Sequence, residues 1–341
     1  MNGSQAPKQA RNQEPGPRIR VGFVVGPTGV GKSAFALELA ERLNCEIVAG
    51  DSRQLYRGMT IGTAQPDARA RRRVRHHLFG ACWPDEPLDA AGFVALARRT
   101  IDEMARRGAR PLVVGGSGLY LRALRDGLFA GPGASADLRQ ELIELARERG
   151  QAYLHARLAE VDGAAAQRIA PADLKRTVRA LEVYRLTGTP ISAYHARHGF
   201  KSPAYLSLSV GLNLERPVLY AMIDRRLEAM LAAGLLEEVK SLAGAAERCP
   251  ALVLNTIGYR EVAAHLRGEL TIAQAQALAA RRTRQLAKRQ LTWFRQDATI
   301  VWLDPRRDLD RAVALFARFF SAGRGCEPGG NRDTASAVSE R

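Results

Sequence analysis

Eight consecutive residues near the start of the chain can grip a phosphate: Gly26-Pro27-Thr28-Gly29-Val30-Gly31-Lys32-Ser33. They fit G-x-x-x-x-G-K-[ST], the P-loop. The glycines let successive backbone N–H groups curl around an anion. A helix that follows adds partial positive charge at its N-terminus. Lys32 would reach the outermost phosphate, and the Ser33 hydroxyl would ligate a magnesium ion. A glycine-rich turn met by chance is the rival reading. Context weighs against it. Arg20 to Val25 is a short apolar run and reads as a buried parallel strand. Ser33 to Leu43 repeats apolar residues at Phe35, Leu39 and Leu43 and reads as a helix.

A carboxylate is expected beside that loop. Glu46 to Gly50 reads as a second strand, and it stops at Asp51-Ser52-Arg53-Gln54. Ligands of open parallel sheets sit off the carboxyl ends of strands, which puts Asp51 near the phosphate. A simple turn or helix cap is the bland alternative. A third strand, Pro111 to Val114, runs into Gly115-Gly116-Ser117-Gly118-Leu119-Tyr120. A P-loop ATPase usually places an acidic metal ligand near such a strand end. Here stand two glycines and a hydroxyl, so phosphate is gripped without an evident apparatus for hydrolysis. His76-His77 invites a metal reading, but no matching ligand cluster accompanies it. We expect a structural pair, with Leu78-Phe79 continuing it as a strand.

The elements that position these groups alternate between strand and helix. Ala90 to Arg107 reads as a helix ended by Gly108. From Gly131 to about Ala204 the pattern is helical throughout, with helices over 138–149, 152–161 and 174–186. Leu206 to Leu212 alternates and returns the chain to the sheet. Helices follow over 217–232 and 235–242, then a last strand over 299–303 and a last helix over 309–320. The expected fold is α/β, a P-loop NTPase-like parallel sheet flanked by helices with an all-helical insertion. Residues 19–131 and 205–321 would form the catalytic core, and 132–204 the insertion. Residues 1–18 and 322–341 lack apolar periodicity and read as disordered ends.

Charge indicates the partner. The 341 residues hold 51 Lys and Arg against 35 Asp and Glu, a net charge of +16, which favours nucleic acid. Ala273 to Arg295 concentrates it. At 100° per residue Arg281, Arg284, Lys288 and Arg295 fall close together, opposite Ala279, Leu286, Ala287, Trp293 and Phe294. No acid interrupts residues 274–296, so this face is expected to touch phosphates. Lys175, Arg176, Arg179 and Arg185 make a smaller cluster, with Arg176 and Arg179 on one face. The four cysteines are far apart with no C-x-x-C, which favours a reducing compartment. No run approaches membrane-span length. A cytoplasmic monomer is expected.

Taken together, these blocks resemble the bacterial tRNA dimethylallyltransferases, over roughly residues 19 to 305. The blocks are Gly26 to Ser33, Asp51-Ser52-Arg53-Gln54-Leu55-Tyr56, Gly62-Thr63-Ala64, His76-His77-Leu78 and Gly115 to Tyr120. Further along stand Arg179-Ala180-Leu181-Glu182-Val183, Ile257-Gly258-Tyr259 and Lys288-Arg289-Gln290-Leu291-Thr292-Trp293-Phe294-Arg295. Thr60, Gln65, Ser117 and Asn213 depart from the usual family residues. The resemblance implies transfer of a dimethylallyl group from dimethylallyl pyrophosphate to N6 of the adenine 3′ of the anticodon. The tRNAs would be those reading codons that start with U. It implies Asp51 as base, with Lys32, Ser33 with Mg²⁺, the loop amides and Arg226 holding the departing pyrophosphate. Ser117 would bond the bridging oxygen, and Arg225 is the alternative to Arg226. It assigns tRNA contacts to Asp51-Ser52-Arg53-Gln54, Ser117, Arg139, Lys175-Arg176-Thr177-Val178-Arg179, Thr256-Ile257-Gly258-Tyr259-Arg260-Glu261 and Lys288 to Arg295. The rivals are an isopentenyltransferase acting on free adenine nucleotides, a P-loop kinase, and a non-catalytic RNA-binding protein.

Overall fold

The computed structural model describes residues 19–86, 88–128, 131–198, 203–244, 253 and 255–322. The expected disordered leader, and all but residue 322 of the expected tail, lie outside them. The chain divides into two compact units. One comprises residues 1–89, 95–120 and 205–341, and the other residues 90–94 and 121–204.

The first unit is built on a six-stranded sheet. Its strands are β1 (Arg20–Val25), β2 (Cys45–Ala49), β3 (His76–His77), β4 (Arg110–Gly115), β5 (Leu206–Leu212) and β6 (Val301–Leu303). Their order across the sheet is β3-β2-β4-β1-β5-β6 and every pair is parallel. Central parallel strands are covered on both faces, and they read as continuous apolar runs rather than alternations. Hence β1 is buried at five successive positions. β5 was expected to alternate. Instead its last four residues are all buried, because it lies between β1 and β6.

Register brings the chemistry to one edge of this sheet. Val25 lies opposite Gly115 and Gly211, and Ala49 opposite Val114. The residues just beyond these strand ends are Gly26, Gly116 and Gly50, so the segments that follow β1, β4 and β2 emerge side by side. The His76-His77 strand is shorter than expected. Leu78 takes φ +68°, a left-handed conformation that ends strand pairing before Phe79.

The helices of this unit are α1 (Lys32–Leu43), α2 (Ala68–Arg73), α10 (Arg216–Ala232), α11 (Leu235–Gly244), α12 (Tyr259–Leu266), α13 (Ile272–Arg295) and α14 (Leu309–Ser321). Most of α3 (Ala90–Arg106) and the start of α4 (Gly118–Asp126) also belong to it. Phe35, Leu39 and Leu43 of α1 pack with Val24, Leu112, Val210 and Phe316 in the main core. A second core joins Tyr56 and Met59 to Leu235, Val239, Tyr259, Ala279 and Ala280.

The second unit is helical among its described residues. It contains α5 (Ala136–Arg149), α6 (Gln151–Val161), α7 (Gly163–Arg168), α8 (Leu174–Thr187) and α9 (Ile191–His198). Its own core gathers Leu142, Leu154, Leu158, Val178, Leu181, Val183 and Ile191. Ser135, Asp162 and Asp173 each accept a backbone N–H at the start of α5, α7 and α8. No described helix is long and apolar enough to cross a membrane.

Candidate active site

The phosphate loop takes the shape its sequence requires. Gly26, Gly29 and Gly31 have φ of +141°, +83° and +92°. A Cβ on Gly26 would sit 2.6 Å from the Leu212 carbonyl, so only glycine lets β1 turn into the loop beside β5. No side chain caps the start of α1. Its first-turn N–H groups are therefore left for an anion.

Three charged groups meet at this loop. The Lys32 ammonium donates to the carbonyls of Gly26 at 3.0 Å and Pro27 at 2.8 Å. Enclosure of the ammonium lowers its pKa to about 8; Asp51 opposes this shift and Arg226 adds to it. Arg226, rather than the exposed Arg225, reaches the loop, donating to the Thr28 hydroxyl at 3.1 Å. Burial also lowers the Arg226 pKa, against the pull of Asp51. Asp51 thus lies near enough to both cations to bias each. One of its oxygens accepts the Arg53 backbone N–H at 2.9 Å.

Ser117 and Ser52 tie the ends of β4 and β2 together. The Ser117 hydroxyl accepts the Ser52 N–H at 2.8 Å and lies 3.2 Å from the Ser52 hydroxyl. The Ser117 N–H donates to the Gly50 carbonyl at 3.3 Å. The Gln54 carboxamide donates to the carbonyls of Thr63 and Ala64 and holds the loop after Asp51. Gly26 to Ser33, Asp51 to Gln54, Ser117 and Arg226 therefore belong to one end of one sheet.

The basic helix α13 is less uniform than its sequence implied. Arg281, Lys288, Arg289 and Arg295 are exposed. Arg284, expected on the phosphate-touching face, instead pairs with Asp224 of α10 at 2.6 Å. Arg282 pairs with Glu261 of α12. The acids that interrupt the basic face come from other helices, so the sequence of α13 alone could not show them. A cleft of about 220 Å³ is lined by Ile257, Arg260 and Glu261 together with Arg282 and Arg289 of α13.

Several residues assigned to tRNA by resemblance are enclosed. Thr256, Tyr259, Glu261, Thr177, Val178 and Phe294 are buried. Their side chains shape the surface from beneath. Glu261, for instance, accepts the Gly258 N–H at 2.6 Å and fixes the turn into α12. In the helical unit Lys175 and Arg176 are exposed, whereas Arg139 and Arg179 are oriented by one buried carboxylate. Glu182, fully buried, takes Arg139 Nε at 2.9 Å and Arg179 Nη1 at 2.6 Å. It also accepts the Ser135 N–H at 2.8 Å.

Glu238 on α11 was not found from the sequence. It accepts from Ile61 N–H at 2.8 Å, Gly62 N–H at 3.0 Å and Thr60 N–H at 2.9 Å, and from the Thr60 and Tyr259 hydroxyls. Thr60, a departure from the usual family residue, is thereby held twice by one carboxylate. Gln65, another, donates to the carbonyls of Tyr56 and Met59. Burial opposes the Glu238 charge, but the N–H groups of Gly62 and Ile61 and the two hydroxyls outweigh it and lower its pKa. Glu238→Ala is expected to cost about 2 kcal/mol in urea denaturation at pH 7, since several donors lose their acceptor. The folded pKa is depressed. The contribution is therefore present above the unfolded carboxylate pKa of about 4.3, and the difference from wild type narrows as pH falls below it.

A parallel sheet with a P-loop, a carboxylate, a lysine and an arginine at its carboxyl edge defines an α/β protein with a phosphate-binding site. Comparison with known proteins agrees. A family model described as IPP transferase matches residues 54–297, more than half of the chain. A tRNA dimethylallyltransferase of Geobacter metallireducens is 46% identical over 303 residues, covering 89% of this chain and 98% of its own. One from Moorella thermoacetica is 48% identical over 308 residues, covering 87% and 94%. The solved full-length tRNA isopentenylpyrophosphate transferase of Bacillus halodurans superposes with a TM-score of 0.65 at 36% identity, covering 89% and 97%. A eukaryotic dimethylallyltransferase acting on tRNA superposes with a TM-score of 0.76 at 25% identity, covering 89% and 80%. The chain belongs to the IPP transferase family and is a transferase.

Proposed function

We propose that the protein transfers a dimethylallyl group from dimethylallyl pyrophosphate to N6 of the adenine 3′ of the tRNA anticodon, releasing pyrophosphate. The observation that carries this reading is the Asp51 carboxylate beside Lys32, Arg226 and the glycine loop. Such an amine is a weak nucleophile, because its lone pair is delocalised into the ring. As its nitrogen bonds the allylic carbon, the carbon–oxygen bond breaks and the electron pair leaves on the diphosphate. Asp51 takes the amine proton. Lys32, Arg226 and the loop amides hold the growing negative charge. Ser117 would donate its hydroxyl to the bridging oxygen.

A divalent ion fits the donors present. No described cluster of His, Cys, Asp or Glu could hold a metal by itself, while Ser33 is exposed at the loop. That set suits Mg²⁺, which keeps several waters and is shared with substrate phosphates. When bound it would neutralise diphosphate charge, with Ser33 as the protein ligand.

The RNA partner is supported by the exposed cations of α13 and by Arg139, Lys175, Arg176 and Arg179 of the helical unit, which would meet the anticodon stem-loop by shape and phosphate contact. The adenine must leave its stack to reach the base. Charge reversal by Lys288→Glu with Arg289→Glu is expected to weaken tRNA binding at least tenfold and to flatten its salt dependence. Equal slopes in filter binding would remove α13 from the interface.

The deciding experiment is mass spectrometry of tRNA nucleosides after incubation with the protein, dimethylallyl pyrophosphate and Mg²⁺. An adenosine carrying one dimethylallyl group is expected. Unmodified tRNA together with prenylated free AMP would overturn the reading in favour of the free-nucleotide transferase.

A further inference from the structure

Gln290 lies within the block that resemblance assigns to tRNA, yet both ends of its carboxamide are spoken for by backbone. Its Oε1 accepts the Thr28 N–H at 2.8 Å, within the phosphate loop. Its Nε2 donates to the Gly116 carbonyl at 2.8 Å, at the end of β4. The side chain is half-buried, in contrast to its exposed neighbours Lys288 and Arg289. One residue on α13 therefore clips the segment after β1 to the segment after β4.

Neighbouring contacts fix the clip in place. A Cβ on Gly116 would stand 2.5 Å from Gln290 Nε2. A Cβ on Gly118 would stand 2.3 Å from the ring of Trp293. Gln290 and Trp293 are three residues apart and share a face of α13. The glycines around Ser117 are thus explained by close approach of this helix face. At one end of the clip Thr28 is itself part of the cradle, and at the other Ser117 directly follows Gly116.

Resting on the function proposed above, we infer that Gln290 is a positioning residue for the diphosphate cradle rather than a tRNA contact. Its acceptor holds the Thr28 segment at one spacing from Ser117 and Asp51. Its donor anchors that spacing to β4. The carboxamide is needed because one end must accept and the other donate. A carboxylate would lose the bond to the Gly116 carbonyl and add negative charge beside an anion site. An apolar isostere would leave both backbone groups without this partner.

The test uses the full chain and two variants, Gln290→Met and Gln290→Asn. Methionine keeps the length without the polar ends. Asparagine keeps the carboxamide one methylene short of spanning both partners. Inorganic pyrophosphate is titrated by calorimetry with Mg²⁺, tRNA affinity is measured by filter binding, and hydrogen exchange is followed in the peptide containing Thr28. Both variants should weaken pyrophosphate binding roughly tenfold, the size expected of one or two lost hydrogen bonds. The KM for dimethylallyl pyrophosphate should rise in parallel, the Thr28 peptide should exchange faster, and tRNA affinity should stay within twofold. Loss of tRNA affinity with pyrophosphate binding and Thr28 exchange unchanged would overturn the inference. The pyrophosphate and exchange measurements stand without any turnover. A wild-type protein that fails to prenylate tRNA would sink the functional reading and still leave Gln290 to be judged.

Discussion

Asp51→Asn is expected to leave tRNA bound at near wild-type affinity and to cut prenyl transfer by roughly 10²–10⁴-fold, the usual contribution of a general base. The substitution is nearly isosteric. The amide oxygen can still accept the Arg53 N–H that the carboxylate now accepts at 2.9 Å, so the turn after β2 keeps its shape. What is lost is the ability to take the N6 proton as the new bond forms. A second consequence separates this from simple misfolding. Asp51 raises the pKa of Lys32 against the effect of burial. Removing its charge should therefore lower that pKa further, and the alkaline limb of pyrophosphate binding should move to lower pH. Steady-state kinetics with labelled dimethylallyl pyrophosphate, run beside a pH series of pyrophosphate titrations, reads both. Transfer at the normal rate would remove Asp51 from the role of base.

Much of this site can be read from the sequence because its parts are local. The loop motif, the strand before it and the helix after it occupy one continuous stretch, Arg20 to Leu43. Asp51 and Ser117 are legible for a related reason. Each follows a short apolar strand, and parallel strands deliver their carboxyl ends to one edge. What local spacing cannot show is pairing across the chain. Glu238 holds Thr60 from 178 residues away. Asp224 takes Arg284 out of a face that looks uniformly basic along α13. Gln290 reaches Thr28 across 262 residues and Gly116 across 174. In each case the sequence shows a polar residue on a plausible helix face, and only the folded packing decides whether that residue meets solvent, ligand or backbone. Burial is the same problem in reverse. Tyr259 and Glu261 look like accessible members of a motif, yet Tyr259 gives its hydroxyl to Glu238 and Glu261 is spent on a helix start and on Arg282.

Lys32→Met should show the opposite signs for function and stability. Transfer is expected to fall by roughly 10²–10³-fold, as for loss of a donor aimed at developing negative charge. The ammonium also sets a pH limit. Its pKa in the free protein is about 8, lowered mainly by enclosure. As pH rises through that value the free site loses a positive charge, while bound diphosphate favours the charged form. Binding then takes up a proton, and the KM for dimethylallyl pyrophosphate should climb toward tenfold per pH unit above 8, with no such rise in the methionine variant. Stability runs the other way. The folded pKa lies below the unfolded value of about 10.4, so the unfolded chain holds more protons between pH 8 and 10.4 and wild-type stability increases with pH across that window. At pH 7 the buried charge is a net cost. Lys32→Met should therefore melt at a higher temperature than wild type at pH 7, and the gap should close by about pH 10. Thermal unfolding at the two pH values checks this. A variant that melts lower at pH 7 would mean that the two carbonyl hydrogen bonds of the ammonium outweigh its desolvation, and that the lysine is held at full charge before any phosphate arrives.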